Sequence, residues 1–335
     1  MKNLIRDMLA AGLHRLQITG PARGREERLY IATFHRVLPD AQRREYPLPG
    51  LAVTPAELDW FVQFFQQSFH CQRLDAAWRE FSRGEGCVRP RLAITFDDGQ
   101  RDNFLHAAPI LDRLGVPATF FVPVEAVEKQ HLLWHDRVGY ALRRLGREHP
   151  RSHLLAQLGL DSGQAVQSPQ RGVARSKQMT LAERLEWIRQ AEALVPNSAP
   201  DWDGMMTWTQ LRELTERGHE IGCHSYTHPI LVACGDEQLE REIVDSRRRL
   251  EQELGAEVRS FCYPNGDYDS RVAGAVCRGG YELAVTTRWG SNSRSAEAFS
   301  LKRHDMVSEN SLDRRGNLSA PRVAMRMADF VRGVD

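Results

Sequence analysis

Two adjacent carboxylates, Asp97 and Asp98, close the apolar run Leu92-Ala93-Ile94-Thr95-Phe96 and are followed by Gly99. Neighbouring carboxylates repel each other, so a cation should sit against at least one of them, and a divalent metal ion suits. Histidines can supply the remaining ligands, but their spacing alone misleads. The pattern H-x-x-x-H occurs three times, at His131/His135, His149/His153 and His224/His228. His149/His153 encloses Pro150 and Arg151, as a solvated loop or helix start would. His131/His135 flanks Trp134 and reads as packing or substrate contact rather than a metal site. His224 instead ends the run Glu220-Ile221-Gly222-Cys223, and Pro229 closes the loop behind His228. Two imidazoles with one carboxylate leave a fourth position open, the arrangement of a catalytic zinc ion. Cys223 alternates to the other side of a regular strand from His224, which argues against it as a ligand.

These groups need strands to deliver them. Residues 29–37, 91–96, 117–122, 219–224, 258–263, 283–287 and 299–304 have strand character. Between them lie helical stretches: one from about residue 54, opened by Thr54-Pro55-Ala56-Glu57, then 102–114, 207–217 and 236–254, ended by Gly115, Gly218 and Gly255. Seven strands interleaved with helices make an α/β domain whose chemistry gathers at the carboxyl ends of the strands. His35, Asp97, Asp98, His224 and His304 fall at such ends. The rhythm breaks over residues 125–203, with helices at 134–145 and 181–194 and a Gly/Ser/Gln/Arg-rich stretch at 162–178 that reads as a mobile loop. The expected organisation is an N-terminal amphipathic helix within 1–25, a main domain over 26–310 with an insertion at about 125–205, and a C-terminal tail or helix over 311–335.

Composition narrows the class. A chain of 335 residues with 41% hydrophobic content can bury one large core. Its 45 basic and 44 acidic residues leave a net charge of +1, which gives no reason to expect a nucleic-acid partner. Six cysteines without a C-x-x-C pair suggest neither a zinc ribbon nor a disulfide framework, and a reducing compartment fits them. Leu4, Ile5, Met8, Leu9, Leu13 and Leu16 recur at helical spacing, a helix that either packs on its own domain or lies on a membrane surface. The N-terminus shows no signal-peptide core, so the sequence expectation is a cytoplasmic protein, with peripheral contact at the inner face of the cytoplasmic membrane as a further reading.

Taken together, Thr95-Phe96-Asp97-Asp98-Gly99 and His224-Ser225-Tyr226-Thr227-His228 resemble the first two signature motifs of the NodB-type polysaccharide deacetylases, carbohydrate esterase family 4. Thr33-Phe34-His35-Arg36-Val37, residues 115–121 and residues 217–222 extend the likeness over most of 29–305. The resemblance implies a distorted (β/α)7 barrel with a helical insertion, and hydrolysis of acetyl groups on sugars with one divalent metal, most often Zn2+. It implies that Asp98, His224 and His228 hold the metal and that Asp97 is the general base. In the third motif Pro264 is kept, with Asn265 offering a backbone N–H to the oxyanion. There Cys262 stands where the family has an arginine that orients the base, leaving Asp97 without its usual partner. For the last motif, His304 is matched to the acid that protonates the leaving amine, with His35 as the competing acid or a pocket residue. Trp289 is either a sugar-stacking wall or a core residue.

The implied activity is de-N-acetylation of a carbohydrate or glycolipid intermediate in cell-surface glycan or exopolysaccharide biosynthesis. The alternatives are a deformylase or amidase acting on a lipid- or nucleotide-linked sugar, and a non-catalytic carbohydrate-binding homologue. The insertion is expected to set acceptor choice, because it rises beside the strand ends.

Overall fold

The computed structural model describes residues 2–15 and 27–328. Seven parallel strands close into a barrel: β1 (Leu29–Phe34), β2 (Arg91–Phe96), β3 (Thr119–Val122), β4 (Glu220–Cys223), β5 (Ser260–Cys262), β6 (Leu283–Trp289) and β7 (Leu301–Asp305). Neighbours in sequence pair around the ring, and β1 closes it by pairing with β2 on one side and β7 on the other. This is the (β/α)7 barrel expected from the sequence. A short extra strand, His70–Gln72, pairs with the first half of β2, while β3 pairs with its last residues.

Strand alternation sorts the side chains. Leu29, Ile31, Ala93, Phe121, Cys262, Leu283, Val285 and Leu301 form the apolar filling of the barrel. Their neighbours Ala32, Phe34, Leu92, Ile94, Phe96, Phe120, Cys223 and Phe261 face the surrounding helices in the larger core. Parallel strands covered on both faces read as near-continuous hydrophobic runs, which is why residues 92–94 and 120–122 are apolar at consecutive positions. The expected N-cap at Thr54 is a full capping box with Glu57 on the helix Pro55–Ser68. The expected first strand is split: it breaks at His35, and only Arg36–Val37 continues, pairing with Ala52–Val53.

The insertion departs from its sequence reading at one place. The stretch expected to be a mobile loop carries two helices, Ser162–Gln167 and Pro169–Ser176. Asp161 and Gln164 form a capping box on the first, and Pro169 opens the second. Both pack on Trp134–Glu148 within a separate core that includes Leu142, Leu145, Leu160, Ala165, Val173 and Trp187. Gly172 is there for contact rather than flexibility, since a Cβ would stand 2.3 Å from Cδ1 of Leu142.

A buried polar joint fixes the insertion on the barrel. Arg36 donates to Asp102 (2.8 Å) on the barrel side and to Asp203 (2.6 Å) at the end of the insertion. Asp136 accepts from Tyr46 (2.6 Å) and Gln100 (2.8 Å), and Tyr140 donates to Asp203 (2.7 Å). Near the termini, the helix Lys2–Arg15 packs on the helix Ala320–Met327, with Arg322 donating to Asp7 (2.7 Å). Met8 and Leu9 are exposed there, whereas Ala10 is buried. Leu16 and residues 329–335 lie outside the described residues. No described helix is long and apolar enough to cross a membrane.

Candidate active site

The loops that follow β2, β4 and β5 carry the chemistry, and their backbones are forced into unusual conformations to do so. Asp98, Ser225, His228 and Asn265 all have positive φ, and only two other described non-glycine residues do. Such conformations persist only where the surroundings over-determine them, and they gather at functional sites. Each loop has an identifiable brace. Gly99 and Arg101 exchange backbone hydrogen bonds with Met206 and Gly204 at the end of the insertion. Glu242 accepts from the backbone N–H groups of Tyr226 (2.9 Å) and Thr227 (2.8 Å) and from the Thr227 hydroxyl (2.6 Å), which shapes the His224–His228 loop. Gly266 (φ +78°) packs where a Cβ would lie 2.0 Å from Oγ1 of Thr287.

Asp98, His224 and His228 converge, all three buried. Oδ1 of Asp98 lies 3.4 Å from Nε2 of His224 and 3.3 Å from Nε2 of His228, and the two Nε2 atoms are 3.2 Å apart. Ligands held at about 2.0–2.1 Å around a tetrahedral ion are separated by about 3.3–3.4 Å, so these three atoms fit one face of such a site. The tautomer fits as well. Nδ1 of His224 bonds the carbonyl of Cys262 (2.8 Å), which leaves Nε2 free to ligate. Burial pushes His228 down to about 4, which keeps that imidazole in the neutral ligand form near neutral pH.

Asp97 points to the barrel interior and has a different partner. Arg303 donates to both of its oxygens, from Nη1 at 2.8 Å and Nη2 at 2.7 Å. The same guanidinium is held by the carbonyl of Thr286 (2.8 Å), the Thr95 hydroxyl (3.3 Å) and the Cys262 sulfur (3.4 Å). Burial alone would raise the Asp97 carboxyl, but the charge and hydrogen bonds of Arg303 outweigh it, and its pKa lies below the ordinary value. Burial likewise opposes ionisation of Asp98, which His135, His224 and His228 reverse to leave it well below the carboxylate range. The repulsion that marks the pair in the sequence is thus relieved separately on each member.

A cavity of about 300 Å³ opens over both carboxylates, lined by His35, Asp97, Asp98, His224, His228 and Asn265 among others. Nε2 of His35 is 3.9 Å from Asp97. From the insertion come Trp134, His135, Val173 and Lys177, whose ammonium donates to the side chain of Asn265. Pro264 is buried and is not among the residues that line the cavity. Two residues singled out in the sequence are not brought here. His304 is fully buried on the outer face of β7, stacked on Tyr30 (5.9 Å) and edge-on to Trp289 (4.8 Å). Trp289 is occupied in turn by Arg326, 4.6 Å from its ring. Arg303, by contrast, was missed, and strand parity could have found it, since it shares the inward face with Leu301. Glu242 and Lys177 left no comparable signal. A larger groove of about 900 Å³ on the insertion, lined by Arg175, Gln178, Glu183 and Gln190 among others, holds none of the ligand clusters found among the described residues.

The description of the polysaccharide deacetylases matches residues 87–284, more than half of the chain. The chain belongs to the polysaccharide deacetylase family. Among curated relatives, this deacetylase-family chain is 22% identical over 219 residues to the "putative polysaccharide deacetylase YxkH" of Bacillus subtilis. It is 33% identical over 63 residues to a chitooligosaccharide deacetylase of Sinorhizobium fredii. The first alignment takes in 65% of this chain and 51% of YxkH, and the second 18% of this chain and 29% of the relative, so the chain spans about half the length of these relatives or less. The fold is shared with the Streptococcus pyogenes deacetylase PplD (TM-score 0.61, 19% identity, 90% of this chain and 99% of that one). It is also shared with IcaB from Ammonifex degensii (TM-score 0.56, 17% identity, 90% and 97%).

Proposed function

We propose that this deacetylase-family protein hydrolyses acetamido groups on a carbohydrate or glycolipid, using one divalent metal ion held by Asp98, His224 and His228. The observation that carries the reading is the division of labour between neighbouring carboxylates, with Asp98 facing imidazoles and Asp97 held by Arg303. When bound, the ion supplies acidification of water and polarisation of the acyl oxygen, with Zn2+ suited to this nitrogen-rich set. Asp97, kept ionised by Arg303, accepts the proton from the attacking water. Asn265, braced by Lys177 and Asp267, presents its backbone N–H toward the developing oxyanion. Of the four histidines lining the cavity, His35 is the most exposed, at 21%, and stands apart from the Asp98 cluster, so it delivers the proton to the leaving nitrogen.

The insertion walls the cavity with Trp134, Val173 and Lys177, which supports a role in acceptor choice. We place the reaction in cell-surface glycan assembly at the cytoplasmic membrane face, a reading supported by the exposed Met8 and Leu9 and tested by fractionation.

The experiment is acetate release from N-acetylated oligosaccharides, with and without chelator and after metal add-back. Chelation should abolish release and Zn2+ restore it. Asp97→Asn should lower turnover by about 10²–10⁴-fold while binding the ion as before. Full turnover in Asp97→Asn with metal bound, or release indifferent to chelation, refutes the reading.

A further inference from the structure

His135 stands in the cavity without a place in that chemistry. It is only 8% exposed, and its Nε2 is buried with no hydrogen-bond partner. An imidazole nitrogen in that state is costly unless a partner completes it. Two carboxylate oxygens face it: Oδ1 of Asp136 at 3.6 Å, which already accepts from Tyr46, and Oδ2 of Asp98 at 3.5 Å, opposite the Oδ1 that His224 and His228 face.

The approach is built rather than accidental. His135 sits in the first turn of the helix Trp134–Glu148, and the next residue, Asp136, is locked by Tyr46 and Gln100 from the barrel side. Trp134 meets the His135 ring edge-on at 5.5 Å, and the His228 ring lies 5.7 Å away.

We propose that His135 is a positioning residue for the metal centre: its Nε2–H donates to Oδ2 of Asp98 and aims Oδ1 at the ion. This rests on the reading of Asp98, His224 and His228 as the ligands. An outer role suits it better than a fourth ligand, because the mutually close ligand atoms around Asp98 are those of Asp98, His224 and His228, and His135 is not among them. An outer role also leaves the fourth position to water and substrate. The insertion therefore governs ion affinity while supplying none of the three ligands.

The test is Zn2+ affinity of the full chain by competition with a chromophoric chelator, for the parent, His135→Ala, His135→Gln and His228→Ala, with thermal unfolding of each metal-free protein alongside. Partners of ligands contribute about 10–100-fold in affinity, so His135→Ala should weaken binding by that factor without moving the metal-free Tm. His135→Gln, whose amide can donate to the same oxygen, should regain most of it, and His228→Ala should lose more than either. Affinity in His135→Ala within twofold of the parent overturns the proposal. So does a loss equal to that of His228→Ala, which would make His135 a ligand. A parent that binds no Zn2+ removes the metal reading itself, a distinct failure from an unaffected His135→Ala.

Discussion

Replacing Arg303 by methionine tests the site at the point where the sequence offered no answer. The change keeps much of the stem volume and removes the guanidinium, so both Asp97 oxygens lose their charged donors inside the barrel. Breaking a buried ion pair by removing one partner costs about 3–5 kcal/mol. With about 2.1 cal/mol/K per residue over 335 residues, the unfolding entropy is about 0.7 kcal/mol/K, and Tm should fall by about 4–7 °C near neutral pH. The pH dependence should change sign as well. In the parent, Asp97 lies below its ordinary 3.8, so its stabilisation is present above that value and lost as pH falls through the folded pKa. Without Arg303, burial governs and the folded pKa rises above the unfolded one. Stability should then decline as pH climbs from 3.8 toward the raised value. The assay is thermal unfolding in chelator across pH 4–8, with the acid limb of kcat/KM followed in parallel and expected to move upward. Arg303→Met combined with Asp97→Asn removes both charges and should recover most of the loss, because the two penalties are one interaction counted from either side. A Tm within about 1 °C of the parent, with an unmoved acid limb, would sink the assignment of Arg303 as the base's partner.

Two further outcomes follow from the barrel. His304→Phe, which keeps a ring between Tyr30 and Trp289, should leave kcat within a few fold, since an essential proton donor there would cost about 10²–10⁴-fold on removal. At the opposite end of the barrel, Glu220 accepts from Ser260 (2.6 Å), Thr119 (2.7 Å) and the backbone of Asp75 (3.0 Å). Burial, then the charge of Asp75, push it up to about 7 from 4.5, so stability should fall as pH rises between those values. Glu220→Gln should flatten that slope and raise stability at pH 8 by at most about 3 kcal/mol, at about 1.4 kcal/mol per pH unit, as unfolding curves at pH 4.5 and 8 would show.

Much of this was legible because hydrophobic runs and caps are local. The barrel strands announced themselves as apolar segments ended by polar residues, and Thr54 with Glu57 wrote its own helix start. The convergence of Asp98, His224 and His228 was legible because adjacent carboxylates at a strand end call for a cation, and of the three H-x-x-x-H pairs His224/His228 was the one that followed a strand. What the sequence hid was long-range. Nothing local tells that residues 162–178 fold back on Leu142 and Leu145, since their composition is that of a loop and their stability comes from packing. The nearness of His135 to Asp98 depends on a joint between Arg36, Asp102, Asp136 and Asp203 that spans the whole insertion. His304 was misjudged because its position after Leu301 was weighed by motif rather than by alternation.

The register of β7 carries a consequence for how such sites diverge. Arg303 and His304 are consecutive, and the pleat sends one into the barrel and the other out of it. Pairing between β6 and β7 is already irregular here, stepping from Leu301 opposite Val285 to Arg303 opposite Trp289. A one-residue deletion ahead of Arg303 in this strand would bring His304 to the inward position and exchange the cation that holds Asp97 for an imidazole, in a single genetic event. The phase of β7 therefore decides what holds Asp97, and because the Arg303 guanidinium also meets the Cys262 sulfur, the inward residue of β7 and the residue at position 262 must suit each other.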